Sequence, residues 1–157
     1  MYHGQYTILT DADGVLLNWR DSFDYYMMYN HSIFATGDVR KYDQTLRYNM
    51  AAEDINRYIL QFNNSSNIGF LPPLYDSVKY IQKLYEMGYT FKVITSLSLN
   101  PFSQELRTKN LKKIFTHFFA HKTFQKLRGV APTFLQGQLN SYAKRRRRTL
   151  RTTFYNT

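Results

Sequence analysis

The sequence predicts an α/β protein built on a parallel β-sheet. Two apolar, β-prone runs, residues 6–11 and 89–96, have the length and composition of buried strands. Each run is followed by a segment in which apolar residues recur at helical spacing, and Gly88 separates a helical segment from the second run. A helix that ends at a glycine and leads into a strand is typical of the crossovers that join parallel strands.

The stretch between the two predicted strands begins with a helical insertion. A helix is predicted over about 18–34, where aromatic and other apolar side chains recur at the spacing of one helix face. A second helix is predicted over about 52–62, and a polar loop over 63–67. We therefore expect residues 19–70 to form a small helical unit inserted after the first strand.

The remaining elements follow the same rhythm. A third helix is predicted to open at Pro72-Pro73 and to stop at Gly88, because glycine is a good helix terminator. After the second strand, a fourth helix is predicted over about 101–116, and residues 118–124 are a candidate third strand. After about Arg128 no helical or strand period is sustained.

Two carboxylates stand at the end of the first predicted strand. Asp11 and Asp13 are followed by a turn residue, Gly14. Side chains at i and i+2 beyond a strand end can reach one small site, and open α/β sheets bind ligands at such ends. The spacing suits an aspartyl nucleophile with a second aspartate that shuttles protons. The alternative is an Asp-rich turn with no chemistry, since Asp and Gly are common turn residues.

The second predicted strand ends in two hydroxyl side chains, Thr95 and Ser96. With right-handed crossovers, the ends of both strands open onto the same edge of a parallel sheet. We therefore expect Asp11, Asp13 and Thr95 to face one cleft beneath the helical insertion, where a hydroxyl beside the carboxylates would hydrogen-bond a phosphoryl oxygen.

These residues resemble the haloacid dehalogenase (HAD)-like phosphohydrolases. Residues 11–15, Asp-Ala-Asp-Gly-Val, match the first motif of that family, and residues 93–96, Val-Ile-Thr-Ser, match its second. The order of the motifs and the short insertion look most like 5′-nucleotidase-like and phage-borne members. The resemblance covers about residues 6–125. It implies a Rossmannoid three-layer parallel sheet with a small helical cap.

The resemblance also implies roles for individual residues. Asp11 would be the catalytic nucleophile and first metal ligand, and Asp13 the general acid/base, with its backbone carbonyl as a second ligand. Thr95 would bind the phosphoryl group, with Ser96 as the fallback. Magnesium is the implied cofactor, since it favours one or two carboxylates together with phosphate and water.

The family pattern fails towards the C-terminus. Its third motif is a lysine that neutralises the phosphoryl charge, and Lys122 and Lys126 are either stand-ins for this phosphate-binding residue or ordinary surface lysines. Its fourth motif is an acidic strand end that completes the metal site, and this chain has no acidic residue after Glu105. We therefore expect an α/β core that is incomplete at its C-terminal end.

The absence of the C-terminal motifs also determines the domain organisation that we expect. Residues 1–18 and 71–128 would form the HAD-like core, 19–70 the cap, and 129–157 a basic, poorly ordered tail. A change of reading frame near 127–130, or a replaced segment, would explain the loss of acids and of periodicity together; a genuine basic tail is the rival explanation. Without the strand that bears the fourth motif, the first strand should lie at or near a sheet edge.

Composition narrows the cellular setting. The chain of 157 residues has a net charge of +10 and no cysteine, so disulfides and thiolate metal sites are excluded. It has no apolar run long enough to span a membrane, and its first residues lack the pattern of a signal peptide. We expect a cytoplasmic protein, in the host cytoplasm if the gene is phage-borne.

The resemblance implies Mg-dependent hydrolysis of a small phosphomonoester through an aspartyl-phosphate intermediate. A nucleotide is one candidate substrate. Because the acidic motif is missing, we expect this chain to be a very weak phosphatase or an inactive one. The alternative is a non-catalytic HAD-like protein whose basic run, Lys144–Arg148, binds nucleic acid; that run would otherwise be solvated charge.

Overall fold

The computed structural model describes residues 6–116 and 118, except 39, 96 and 97. These belong to the first of two units into which the chain divides, residues 1–125 and 126–157. It is a mixed α/β structure with a two-stranded sheet. Its elements, in order, are β1 (Thr7–Asp11), α1 (Trp19–His31), α2 (Gln44–Tyr48), α3 (Ala52–Asn64), a 3-10 helix (Ser66–Gly69), α4 (Ser77–Glu86), β2 (Thr90–Ile94) and α5 (Pro101–Ile114).

The two predicted strands pair in parallel, as expected. Thr7 lies opposite Thr90, and Asp11 lies opposite Ile94, so the carboxyl ends of β1 and β2 meet at one edge. In the described part of the chain β1 has β2 as its one strand neighbour, which makes β1 an edge of this sheet. The candidate third strand at 118–124 and the predicted tail at 129–157 lie outside the described residues, apart from 118.

Helix α1 begins and ends on recognisable caps. The Asn18 side chain accepts a hydrogen bond from the backbone N–H of Asp21 at 3.3 Å, and Ser32 closes the helix in a left-handed conformation. Phe23 and Met27 are fully buried on its inner face, where Phe23 stacks on Trp19 with ring centroids 4.9 Å apart. The helical spacing of Trp19, Phe23 and Met27 is therefore explained by their packing on the inner face of α1.

Helix α2 is a short helix that the sequence did not predict, and its backbone lies close to that of Gly37. The backbone N–H of Gly37 donates to the carbonyl of Arg47 at 2.8 Å. A Cβ at Gly37 would lie 1.8 Å from the carbonyl oxygen of Leu46, so a side chain here would force the two segments apart. Asp43 caps the helix through the N–H of Thr45.

Helix α4 starts later than its prolines suggest. It begins at Ser77, because the backbone before it pairs with the turn that follows β1: Asn18 donates to the carbonyl of Pro72, and Leu74 donates to that of Leu16, each at 2.9 Å. The Ser77 hydroxyl also donates to the Leu16 carbonyl. This tertiary pairing holds residues 72–76 out of the helix. The predicted loop at 63–67 is also wrong, since α3 runs to Asn64 and a 3-10 helix begins at Ser66.

The buried core is shared by the insertion and the rest of the unit. Helix α3 and the 3-10 helix both contact α5. The fully or nearly fully buried apolar side chains include Phe23, Ile55, Phe62, Ile68, Leu71, Phe91, Leu111 and Phe115. Within the described residues, no helix has the length and apolar content that crossing a bilayer requires. The predicted boundaries between core and cap therefore stay predictions, because packing is continuous across them.

Candidate functional site

A cleft of about 1010 Å³ opens at the carboxyl end of β1, between this strand end and the helical insertion. Asp11 and Asp13 line it together with Gly14, whose φ of 74° lets the chain turn sharply after the strand. The opposite wall comes from the insertion. Its lining residues include Trp19, Arg20, Asp21, Tyr42, Gln44, Asn56 and Asn63.

Asp11 is the last residue of β1 and projects where strand pairing ends. Its Oδ1 accepts a hydrogen bond from the backbone N–H of Ala12 at 2.7 Å, which fixes the carboxylate against the following turn. Burial raises the pKa of Asp11, and the N–H groups of Ala12 and Asp13 together with the charge of Arg107 oppose that rise. The carboxylate is therefore held in one orientation while it remains part of the cleft wall.

Asp13 is held by a cation that the sequence analysis missed. Arg107, on α5, is almost completely buried, and its guanidinium binds both carboxylate oxygens of Asp13: Nη1 donates to Oδ1 at 2.6 Å and Nη2 to Oδ2 at 3.2 Å. Such a bidentate pair fixes both the position and the plane of the carboxylate. The pair thus links α5 to the end of β1, although Arg107 and Asp13 are 94 residues apart in the sequence.

The electrostatics of the pair are dominated by removal from water. Burial raises the pKa of Asp13 to about 6, against the charge of Arg107, which lowers it, and the neighbouring Asp11 raises it further. Burial likewise lowers the pKa of Arg107, and Asp13 opposes that shift. An acid with a pKa near 6 can both give and take a proton around neutral pH, which is the property that a general acid/base needs.

Three buried polar atoms, one just after β2 and two on α5, have no hydrogen-bond partner in the described part of the chain. They are Oγ1 of Thr95, Oγ of Ser103 and Nε of Arg107. Thr95 directly follows the residue opposite Asp11, at the same sheet edge, but it is not among the residues that line the cleft. The other predicted phosphate-binding residues, Ser96, Lys122 and Lys126, lie outside the described residues.

The donor set does not fit the magnesium site that the resemblance implies. All eleven acidic residues of the chain lie in the described part, and there no three Asp, Glu, His or Cys side chains are grouped so that they could hold a metal ion. Hydrogen bonds engage both carboxylate oxygens of Asp13 and one of Asp11. A guanidinium at the pair also repels a second cation.

The aromatic residues of α1 differ in their surroundings, and Phe23 and Tyr26 pack in or against the core. Trp19 lines the cleft and is fixed by a hydrogen bond from its Nε1 to Oδ1 of Asn63 at 2.9 Å. Tyr25 and Tyr29 are exposed and stack on each other with centroids 6.3 Å apart, away from the cleft lining. Of the aromatic side chains of α1, Trp19 is therefore the one that can contact a molecule in the cleft.

Comparison with known proteins gives one informative similarity. No model of a known protein family matches the chain. Over 119 residues the chain is 31% identical to an uncharacterized 32.4 kDa protein in the Gp30-rIII intergenic region of Enterobacteria phage T4. The aligned region covers 73% of this chain and 42% of the phage protein, so the chain spans less than half the length of that relative.

Proposed function

We propose that the chain binds a small phosphomonoester in this cleft and hydrolyses it slowly, with Asp11 as the nucleophile. The observation that carries the proposal is that Asp11 and Asp13 line one cleft, with the pKa of Asp13 raised to about 6. Phosphoryl transfer to an aspartate requires a nucleophilic carboxylate and a nearby group that can give and take a proton, and these two side chains supply such a pair. The motif resemblance supports the same assignment, and a HAD-like three-layer fold is part of the proposal.

The proposed reaction has two displacements at phosphorus. In the first, a carboxylate oxygen of Asp11 attacks phosphorus, the ester P–O bond breaks, and Asp13 donates its proton to the leaving oxygen. In the second, Asp13 takes a proton from water as that water attacks phosphorus, the aspartyl P–O bond breaks, and inorganic phosphate leaves. Asp11 and Asp13 return to their starting states. Slow turnover is expected because Arg107 is already paired with Asp13, and the acidic motif that would complete a metal site is missing after Glu105.

The substrate class follows from the walls of the cleft. Its volume of about 1010 Å³ exceeds what a phosphate group alone would fill. Aromatic rings (Trp19, Tyr42, Tyr75) and side-chain amides (Asn56, Asn63) line it, and these groups stack on and hydrogen-bond to planar, polar rings. A nucleoside monophosphate combines such a ring with the phosphomonoester. The proposed place of action is the cytoplasm, that of the host cell if the gene is phage-borne.

The test is to trap the intermediate. The purified chain is incubated with a phosphomonoester panel that includes nucleoside monophosphates, quenched in acid and examined by mass spectrometry for a phosphoryl group on Asp11. We expect a small fraction of phosphorylated Asp11, together with slow phosphate release that Asp11→Asn abolishes. Asp38→Asn, at an exposed aspartate that does not line the cleft, is the matched control. Phosphate release that is unchanged by Asp11→Asn would refute the proposal.

A second candidate function rests on the distribution of charge. No acidic residue follows Glu105, and the run Lys144–Arg148 is a dense cationic segment of the kind that neutralises nucleic-acid phosphates. On this proposal the chain is a non-catalytic nucleic-acid-binding protein. Oligonucleotide affinity that falls steeply with salt, and that is lost when these five residues become glutamine, would support it over hydrolysis.

A further inference from the structure

Arg107 is a buried cation placed against Asp13, one of the two neighbouring aspartates that line the cleft where β1 ends. Its side chain is 1% exposed, whereas the side chain of Asp13 is 28% exposed and faces the cleft. A fully buried arginine loses its hydration, so its position must be compensated by charge and hydrogen bonds. Asp13 supplies two hydrogen bonds, and the charge of Asp11 adds to the attraction.

A cation from the chain itself already offsets part of the negative charge of the two aspartates. Asp11 and Asp13 carry at most two negative charges, and Arg107 carries one positive charge. Carboxylates that lie this close attract a cation strongly when nothing else compensates them. Here the guanidinium already compensates them, and it occupies both oxygens of Asp13.

We propose that Arg107 is the resident cation of the Asp11–Asp13 pair: it offsets the charge of the two carboxylates in place of a divalent metal ion, so that the native chain binds divalent cations weakly and gains affinity for them when the guanidinium is removed. The inference extends the proposed function and rests on it only in treating Asp11 and Asp13 as the working pair.

The experiment measures Mn²⁺ binding, by electron paramagnetic resonance of the free ion and by calorimetry, with no phosphoester present. Arg107→Met removes the charge and keeps a long apolar side chain, Arg107→Gln removes the charge and keeps a hydrogen-bond donor, and Arg107→Lys keeps the charge. We expect Mn²⁺ affinity to rise by about tenfold or more in the two neutral variants, because a repulsive unit charge has been taken from a dication site. Arg107→Lys should stay near the wild type.

The Asp11→Asn substitution identifies the binding site. Introduced into Arg107→Met or Arg107→Gln, it should return Mn²⁺ affinity to the wild-type level. Circular dichroism shows which variants fold, and either neutral variant is sufficient for the comparison. If neither folds, the wild type decides by itself: the proposal stands if its Mn²⁺ binding is weak and unaffected by Asp11→Asn.

Two results would overturn the inference. One is tight Mn²⁺ binding by the wild type that Asp11→Asn abolishes, and the other is a folded neutral variant that binds Mn²⁺ no better than the wild type. An inactive chain would refute the proposed hydrolysis but would leave this titration unaffected, so the two failures are distinguishable.

Discussion

Two arginine–aspartate pairs, one in the cleft and one in the helical insertion, are alike in burial and differ in what surrounds them. Arg107 and Arg47 have side chains only 1% and 8% exposed, and their partners, Asp13 and Asp24, are each 28% exposed. The Arg47–Asp24 pair joins α2 to α1, and the Arg107–Asp13 pair joins α5 to the turn that follows β1. In both, the guanidinium contacts both oxygens of the carboxylate.

The difference lies in the third group. Asp24 also accepts a hydrogen bond from the Tyr48 hydroxyl at 2.6 Å, and neither Asp24 nor Arg47 lines the cleft. Asp13, in contrast, lies in the cleft wall next to a second carboxylate, Asp11. The Arg47–Asp24 pair, which the neutral Tyr48 hydroxyl completes, therefore links α1 to α2. The Arg107–Asp13 pair, which has a second carboxylate beside it, forms a charged site in the cleft wall.

The largest effect is expected from a substitution that breaks the Arg47–Asp24 pair of the helical insertion. Asp24→Ala leaves the buried Arg47 without its carboxylate, and loss of one partner of a buried pair is strongly destabilising. We expect the free energy of unfolding to fall by about 3 kcal/mol, at the lower end for such pairs because Asp24 is partly exposed. Urea denaturation measures it. Asp38→Ala, which removes the partner of the exposed Arg40, is the control and should change stability by less than about 0.5 kcal/mol.

A smaller effect tests the third group of the insertion pair. Tyr48→Phe removes the hydroxyl that donates to Asp24, and we expect the free energy of unfolding to fall by about 1.5 kcal/mol, the lower value for a hydrogen bond to a charged group. Burial and the bond to Asp24 raise the pKa of Tyr48 above its ordinary 10.0. Its stabilising effect is therefore present below about pH 10 and declines at higher pH. An equal loss in Tyr42→Phe, at an exposed tyrosine, would contradict this role.

The smallest effect concerns pH and the cleft pair. Because burial raises the pKa of Asp13 from 3.8 to about 6, proton binding favours the folded chain, and the free energy of unfolding should fall as pH rises from about 4 through 6. Arg107 lowers that pKa, so Arg107→Met should raise it and extend the fall to higher pH. We expect the stability difference between wild type and variant to grow by about 1 kcal/mol between about pH 6 and pH 8.

Urea denaturation at several pH values measures this difference. Arg40→Met, which removes an exposed arginine, is the control and should show no such trend. Stability curves for wild type and Arg107→Met that run parallel from about pH 5 to about pH 8 would show that Asp13 does not titrate in the folded chain as its surroundings indicate.

The elements that the sequence predicts well are those with a long, regular pattern. α1, α3, β2 and α5 lie where periodicity indicated, because each buries one face over several turns or a full strand. β1 also lies where it was predicted, but the prediction that it is a buried strand is wrong, since its residues alternate between exposed and half-buried. Helix α2 has five residues, too few to show a period, and it depends on a cap at Asp43 and a left-handed Asn49. The start of α4 depends on tertiary pairing with Leu16, which no local pattern can reveal.

The cleft is predictable in part for a similar reason. Asp11 and Asp13 stand out because they follow a strand, whereas Arg107 is one basic residue in a helix rich in them. A signal was present nonetheless: Ser103, Arg107, Asn110 and Leu111 recur at helical spacing and form the buried face of α5. A helix whose apolar stripe is too thin to explain its burial is a place to search for buried polar contacts.

The parallel pairing of β1 with β2 has a consequence for synthesis on the ribosome. The hydroxyls of Thr7 and Thr90 meet at 2.9 Å across a sequence separation of 83 residues. At translation rates of about 5–20 residues per second, β1 therefore waits roughly 4 to 17 seconds before its partner strand exists. During that interval Leu9 and the backbone hydrogen-bonding groups of β1 have no strand to pair with. Within the helical insertion, α3 contacts α1, α2 and the 3-10 helix, so these contacts can form before β2 and α5 are made.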